Sequence, residues 1–154
     1  MKSFRIPAVL SLVFGLLSVN AFSHCEIPCG IYDDHARIHL MREHVTTIEK
    51  SMKKIDEVSS AKEINHNQLV RWVTNKERHA EKLQEIAWQY FMTQRIKLAD
   101  DKDEKAVKDY NHKLGLLHQI LIYAMKAKQT TDLLNVEKLN EAIAQFEKAY
   151  MPKK

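Results

Sequence analysis

Glycine and proline are scarce in this chain of 154 residues, at three each, and cysteine occurs only twice. Past residue 23 the glycines are Gly30 and Gly115 and the prolines are Pro28 and Pro152. With so few breakers there is little material for the tight turns of a many-stranded fold, and long helices are favoured instead. No basic block interleaved with aromatics is present, which argues against a nucleic-acid surface. No uninterrupted apolar run reaches the roughly 20 residues that a membrane-spanning helix requires. Internal repeats and low-complexity tracts are also lacking.

The first 23 residues have a composition of their own. Lys2 and Arg5 give a positive start, an apolar stretch runs from Ile6 to Val19, and Ala21-Phe22-Ser23 offers small residues at both positions a signal peptidase inspects. Residues 1–23 are therefore expected to be a cleavable signal peptide, cut between Ser23 and His24, for a protein exported to a periplasm or secreted. Pro7 and Gly15 interrupt the apolar stretch, which disfavours an anchor, and His24 before Cys25 disfavours lipid attachment. Cleavage leaves 131 residues, the size of one domain, with no membrane attachment. It also removes two cations, so the net charge of +4 falls to 22 basic against 20 acidic residues.

The body is rich in Lys, Glu, Gln, Leu and Ala, and its apolar residues recur in steps of three and four. Ile38, Met41, Val45, Ile48, Met52 and Ile55 mark a first helix, with Asp33 or Asp34 placed to cap it. Leu69, Val73, Ala80, Leu83, Ala87 and Tyr90 mark a second, widened by Trp72, Ile86 and Phe91. Val107, Tyr110, Leu114, Leu117, Leu121 and Ala124 mark a third, and Val136, Leu139, Ile143, Phe146 and Tyr150 a fourth. Such stripes belong to core-facing helices. Short polar breaks at 59–62, 100–103 and 128–135 favour antiparallel neighbours. The expected architecture is all-α, an up-down-up-down four-helix bundle over 33–154 preceded by an irregular N-terminal segment over 24–32. The bundle says little about function. Trp72 and Trp88 are read as packing residues or subunit contacts.

Function is concentrated in residues 24–32, His-Cys-Glu-Ile-Pro-Cys-Gly-Ile-Tyr. If the mature chain begins at His24, that residue supplies an amine and an imidazole, and Cys25 a thiolate and an ionisable backbone amide. An α-amine titrates at about pH 8 and a thiol at about 8.5, so a bound metal can displace both protons near neutrality. Soft thiolates beside strong nitrogen donors suit Ni(II) or Cu(II) in a planar arrangement, whereas zinc prefers a tetrahedral set. Pro28 and Gly30 bend the chain and return Cys29 toward the amine. Two readings compete with a catalytic metal. One is a non-enzymatic exported nickel- or copper-binding or delivery protein. The other is a structural bundle with a Cys25–Cys29 disulfide, although so small a loop constrains the unfolded chain little.

The pattern His24-Cys25-x-x-Pro28-Cys29-Gly30-x-Tyr32 resembles the nickel hook of nickel-containing superoxide dismutases at every signature position. The tract from Asp33 to Thr47, Leu69-Val70-Arg71-Trp72 and Gln89-Tyr90-Phe91 is also similar to that family. The resemblance implies a four-helix bundle and a superoxide dismutase with one nickel ion per subunit in a homohexamer. It implies that the His24 amine, the Cys25 backbone nitrogen and the Cys25 and Cys29 thiolates form a plane, with the His24 imidazole axial in the oxidised state. It further implies a cis bond at Ile27–Pro28 and a tyrosine, Tyr32, over the open face. His24 and Tyr32 are thus the expected catalytic residues, and His24, Cys25 and Cys29 the expected metal ligands.

The chain departs from the family where an outer partner for the ligating imidazole is expected. His39 stands where family members often carry a carboxylate, and Asn75 aligns with a basic partner. Glu43, one turn past His39, or another subunit can supply that partner. His35, His39 and Glu43 at i, i+4, i+8 are read as a wet helix face in preference to a second metal site. His44, His66, His79, His112 and His118 receive no role.

Overall fold

A computed structural model describes residues 28–151. Two compact units divide the chain, Met1–Gly30 and Ile31–Lys154, and the described helices all lie in the second. They are α1, Asp34–Ser59; α2, His66–Glu85; α3, Glu104–Gln129; and α4, Leu134–Tyr150. A π-helical stretch, Ile86–Arg95, continues α2 without a break. Among the described residues there is no strand. α1 packs on α2 and α3 on α4, contacts of α2 with α3 and of α1 with α4 close the ring, and the diagonal pairs make no comparable contact. This is the four-helix bundle that the spacing predicts.

Side chains set the starts of three helices. Asp33 accepts from the Ala36 amide at 2.9 Å, Asn65 from Gln68 at 3.1 Å and Asp103 from Ala106 at 3.0 Å, each satisfying an amide that the first turn leaves unpaired. Of the two acids offered at the first helix, Asp33 is the cap, which frees Asp34 for other work.

The predicted stripes largely form the core. Ile38, Met41, Val45, Ile48 and Met52 are buried on α1, and Val136, Leu139, Ile143 and Phe146 on α4. On α3 the buried face is Leu116, Leu117, Ile120, Ala124 and Ala127, so Val107, Tyr110, Leu114 and Leu121 lie at its margin. The first half of α2 departs most. Val73 is exposed, Leu69 is half-buried, and the buried residue on that stretch is Lys76. Its ammonium donates to the carbonyls of Lys128 at 2.6 Å and Thr130 at 3.2 Å, so it caps the C-terminal end of α3, where a cation suits the helix dipole. Ser51, also buried, donates to Thr47 and accepts from Asn75 at 3.0 Å across the α1–α2 seam.

Two histidines from that seam meet inside the bundle. His44 Nδ1 lies 3.0 Å from His79 Nδ1, with the rings edge to face. Such a bond needs one ring to carry a proton on Nδ1 and the other to carry its proton on Nε2 alone, so the accepting ring is neutral. Burial pushes both imidazoles below the ordinary histidine pKa, and neighbouring charges add to it: His79 and Lys82 for His44, Lys82 and Arg78 for His79. A histidine with a depressed folded pKa binds protons more readily when unfolded. Stability is therefore full above about pH 6.5 and falls as the pH drops below that value toward the folded pKa. Urea unfolding is expected to show a lower midpoint near pH 5.5 than near 7.5, and His79→Gln to shrink that difference. An unchanged difference in the variant would contradict the coupling.

Candidate metal centre

Of the expected ligands, His24 and Cys25 lie outside the described residues, as does the peptide bond before Pro28. Cys29 is described, and its thiol is exposed and free. Gly30 follows with φ +76°, the left-handed region that side chains resist. Nothing lies within 4 Å of the position a Cβ would take, so the demand for glycine is conformational and not steric. A free thiol one residue before a glycine-dependent turn is the donor chemistry that a soft metal requires.

Tyr32 belongs to the helical unit and stands two residues before α1. The residue is 38% exposed. The Arg95 guanidinium carbon lies 4.3 Å from the ring centroid, and Tyr90 meets the ring edge to face at 5.9 Å. Beneath it the Asp34 carboxylate gathers four hydrogen bonds. Oδ1 accepts from Arg95 Nε at 2.8 Å and the Tyr90 hydroxyl at 2.7 Å. Oδ2 accepts from Arg95 Nη2 at 2.6 Å and the Tyr150 hydroxyl at 2.9 Å.

The π-helix makes this convergence possible. Tyr90 and Arg95 are five residues apart, which at 3.6 residues per turn would splay them by about 140° on an α-helix. An i to i+5 hydrogen-bond pattern brings such a pair back onto one face. The Thr93 hydroxyl donates to the Trp88 carbonyl and the Ile96 amide to the Phe91 carbonyl, both across five residues. From Tyr90 an aromatic chain descends into the core through Phe91, Phe146 and Tyr150, at centroid distances of 4.9–5.4 Å.

The electrostatics follow from this packing. Burial by itself raises the Asp34 pKa, but the hydrogen bonds from Arg95, Tyr90 and Tyr150 outweigh it and hold the carboxyl below the ordinary range. Tyr90 and Tyr150 are pushed up to about 12, by burial first and then by donating to a carboxylate. Arg95 is held above its ordinary value, first by its bond to Asp34. Both tyrosines and the arginine thus stay protonated and the acid stays ionised throughout the neutral range.

The remaining sequence candidates stand elsewhere. His39 pairs with Glu43 at 3.1 Å on an open face, His35 is exposed, and Asn75 is engaged with Ser51. Among the described residues no three of His, Cys, Asp and Glu gather as a metal site. Trp88 is exposed and Trp72 half-buried. Sequence reasoning missed Asp34, Arg95 and Tyr150 as a group. The available signal was two adjacent acids before one helix, where a single cap was needed.

Fold and donor chemistry define the class: an all-helical protein with a soft sulfur donor ahead of its first helix. The model of the family described as nickel-containing superoxide dismutase matches residues 19–154, and the chain belongs to that family. It is a superoxide dismutase, a nickel-dependent oxidoreductase acting on superoxide. No curated protein and no solved structure matches it.

Asp34→Asn keeps the size of the side chain but removes the charge that orders Arg95. It is expected to lower stability at pH 7 by about 1–3 kcal/mol. An acid with a depressed folded pKa contributes stability above its unfolded pKa of about 3.9, and that contribution is lost as the pH falls through the folded value. The gap between wild type and Asp34→Asn in urea titrations should thus close below about pH 4. A gap that persists unchanged there would show that the charge is not what matters.

Proposed function

We propose that this dismutase is exported, loses residues 1–23, and holds one nickel ion per subunit at its new N-terminus. The ligands are the amine and imidazole of His24, the backbone nitrogen and thiolate of Cys25, and the thiolate of Cys29. The observation that carries the reading is the tract from His24 to Tyr32, inside the family match over 19–154. The free, exposed Cys29 thiol supports it.

Dismutation converts two superoxide ions and two protons into dioxygen and hydrogen peroxide. Bound nickel would supply the one-electron couple between its divalent and trivalent states. The protein's part is to make that couple accessible. Anionic sulfur and amidate donors from Cys25 and Cys29 donate electron density and favour the higher state, which hydrated Ni(II) reaches only with difficulty, and the His24 imidazole adds to this. Tyr32 follows Cys29 by three residues, a tether of at most about 11 Å. Its partly exposed ring can screen the centre from larger reductants and position superoxide, and its hydroxyl can hold a proton on the way to peroxide. Thiolates that face peroxide are oxidisable, so screening also protects the ligands. A homohexamer accompanies this reading.

The reading turns on where the mature chain begins. N-terminal sequencing of exported protein, with metal analysis, is expected to find His24 first and one nickel per chain. Inserting an alanine between Ser23 and His24, with cleavage confirmed before the new residue, should leave helical content and unfolding midpoint unchanged. The same insertion displaces the amine and imidazole, and dismutation should fall at least about 100-fold. Full nickel content and activity in that variant would overturn the ligand assignment.

A further inference from the structure

We infer that Arg95 is the positioning residue for Tyr32. Its guanidinium, pinned by Asp34, is the flat surface that sets the orientation of the Tyr32 ring. The inference rests on the reading of Tyr32 as the side chain that meets superoxide.

Three features point to this assignment. First, Arg95 binds Asp34 side-on through Nε at 2.8 Å and Nη2 at 2.6 Å. Both bonds lie in the guanidinium plane and leave its faces available. The guanidinium carbon lies over the Tyr32 ring, 4.3 Å from its centroid, well inside the range where a cation is held by an aromatic quadrupole. Second, the support is itself immobilised. The Asp34 oxygens accept two further bonds from Tyr90 and Tyr150, so the carboxylate is anchored from α1, the π-helix and α4 together. Rotation of the Asp34 carboxylate would break bonds to three other side chains.

Third, Tyr32 has little else to hold it. It precedes α1, outside any helix, and the contacts that fix it are made by its ring, with Arg95 on one face and Tyr90 at an edge. Among the described residues no hydrogen bond engages its hydroxyl, which leaves that group free for substrate or water. Lysine could retain an ion pair with Asp34, but a point charge on a flexible stem offers neither the side-on fork nor a flat face.

The test is a double-mutant cycle on the mature nickel-loaded enzyme, with Arg95→Lys, Tyr32→Phe and the two combined. Three readouts are followed: dismutation rate against pH, nickel content, and the order of the Tyr32 ring from NMR relaxation. In wild type, Tyr32 is expected to be nearly as ordered as Tyr90. Arg95→Lys should keep its nickel, lower the Tyr32 order, and slow dismutation about 3- to 10-fold. The same change made on Tyr32→Phe should produce no further loss, because the hydroxyl whose placement it governs is gone. An equal loss in both backgrounds would mean that Arg95 acts elsewhere, and would overturn the inference. Loss in Tyr32→Phe with none in Arg95→Lys would overturn it while leaving the role of Tyr32 intact. Full activity in Tyr32→Phe would remove that role, and the inference with it. Should Arg95→Lys fail to fold, the wild-type measurement still decides, since a freely rotating Tyr32 ring contradicts a guanidinium clamp.

Discussion

A single carboxylate organises the end of the bundle from which the N-terminal segment departs. Asp34 accepts four hydrogen bonds from Arg95, Tyr90 and Tyr150, residues 56 to 116 positions away in the chain. Bringing such distant groups to one point carries a loop-closure cost that local contacts cannot repay. The neighbouring aromatic core supplies the difference, because Phe91, Phe146 and Tyr150 pack against one another directly below. Half-buried charge is tolerable here because every acceptor direction is used. With its partners removed, the same acid would be a liability. The start of α1, the end of the π-helix and the end of α4 are thus fixed together, and Tyr32 rests on the junction.

How much of this the sequence discloses depends on the range over which each feature is encoded. Helix number, the all-α class and most of the core follow from local spacing, as Ile38, Met41, Val45 and Ile48 show on α1. Caps are equally local, although Asp33 and Asp34 could not be told apart without knowing what stood opposite. The π-helix was invisible: Ile86 to Arg95 contains no glycine or proline, and its apolar residues read as a continuation of α2. Lys76 was equally silent in the sequence, and only the carbonyls at the end of α3 explain its burial. The His44–His79 pair likewise joins two helices, so neither residue carries a signal of its own.

The candidate site shows a related division. The donors proposed for the metal are contiguous, so a nine-residue tract can suggest them, and the family match over 19–154 includes that tract. The contacts that hold Tyr32 are tertiary. Tyr32 can be named from the tract, but what holds Tyr32 comes from residues 34, 90 and 95, and no contiguous motif contains them.

Charge balance explains why orientation matters more than attraction in this arrangement. Without residues 1–23 the chain carries 22 basic and 20 acidic residues, too even a balance for a strong overall field drawing in an anion. Arg95 adds little to any such field, since its charge is matched by Asp34 at hydrogen-bonding distance. What the pair presents to Tyr32 is a flat, nearly neutral platform. A free lysine at the same place would attract superoxide but leave the ring unsupported. A matched arginine gives up attraction and gains a fixed surface. If Tyr32 meets superoxide as proposed, a preset ring is the more useful of the two, because a substrate of two atoms offers few contacts by which to be oriented and the geometry has to be supplied in advance.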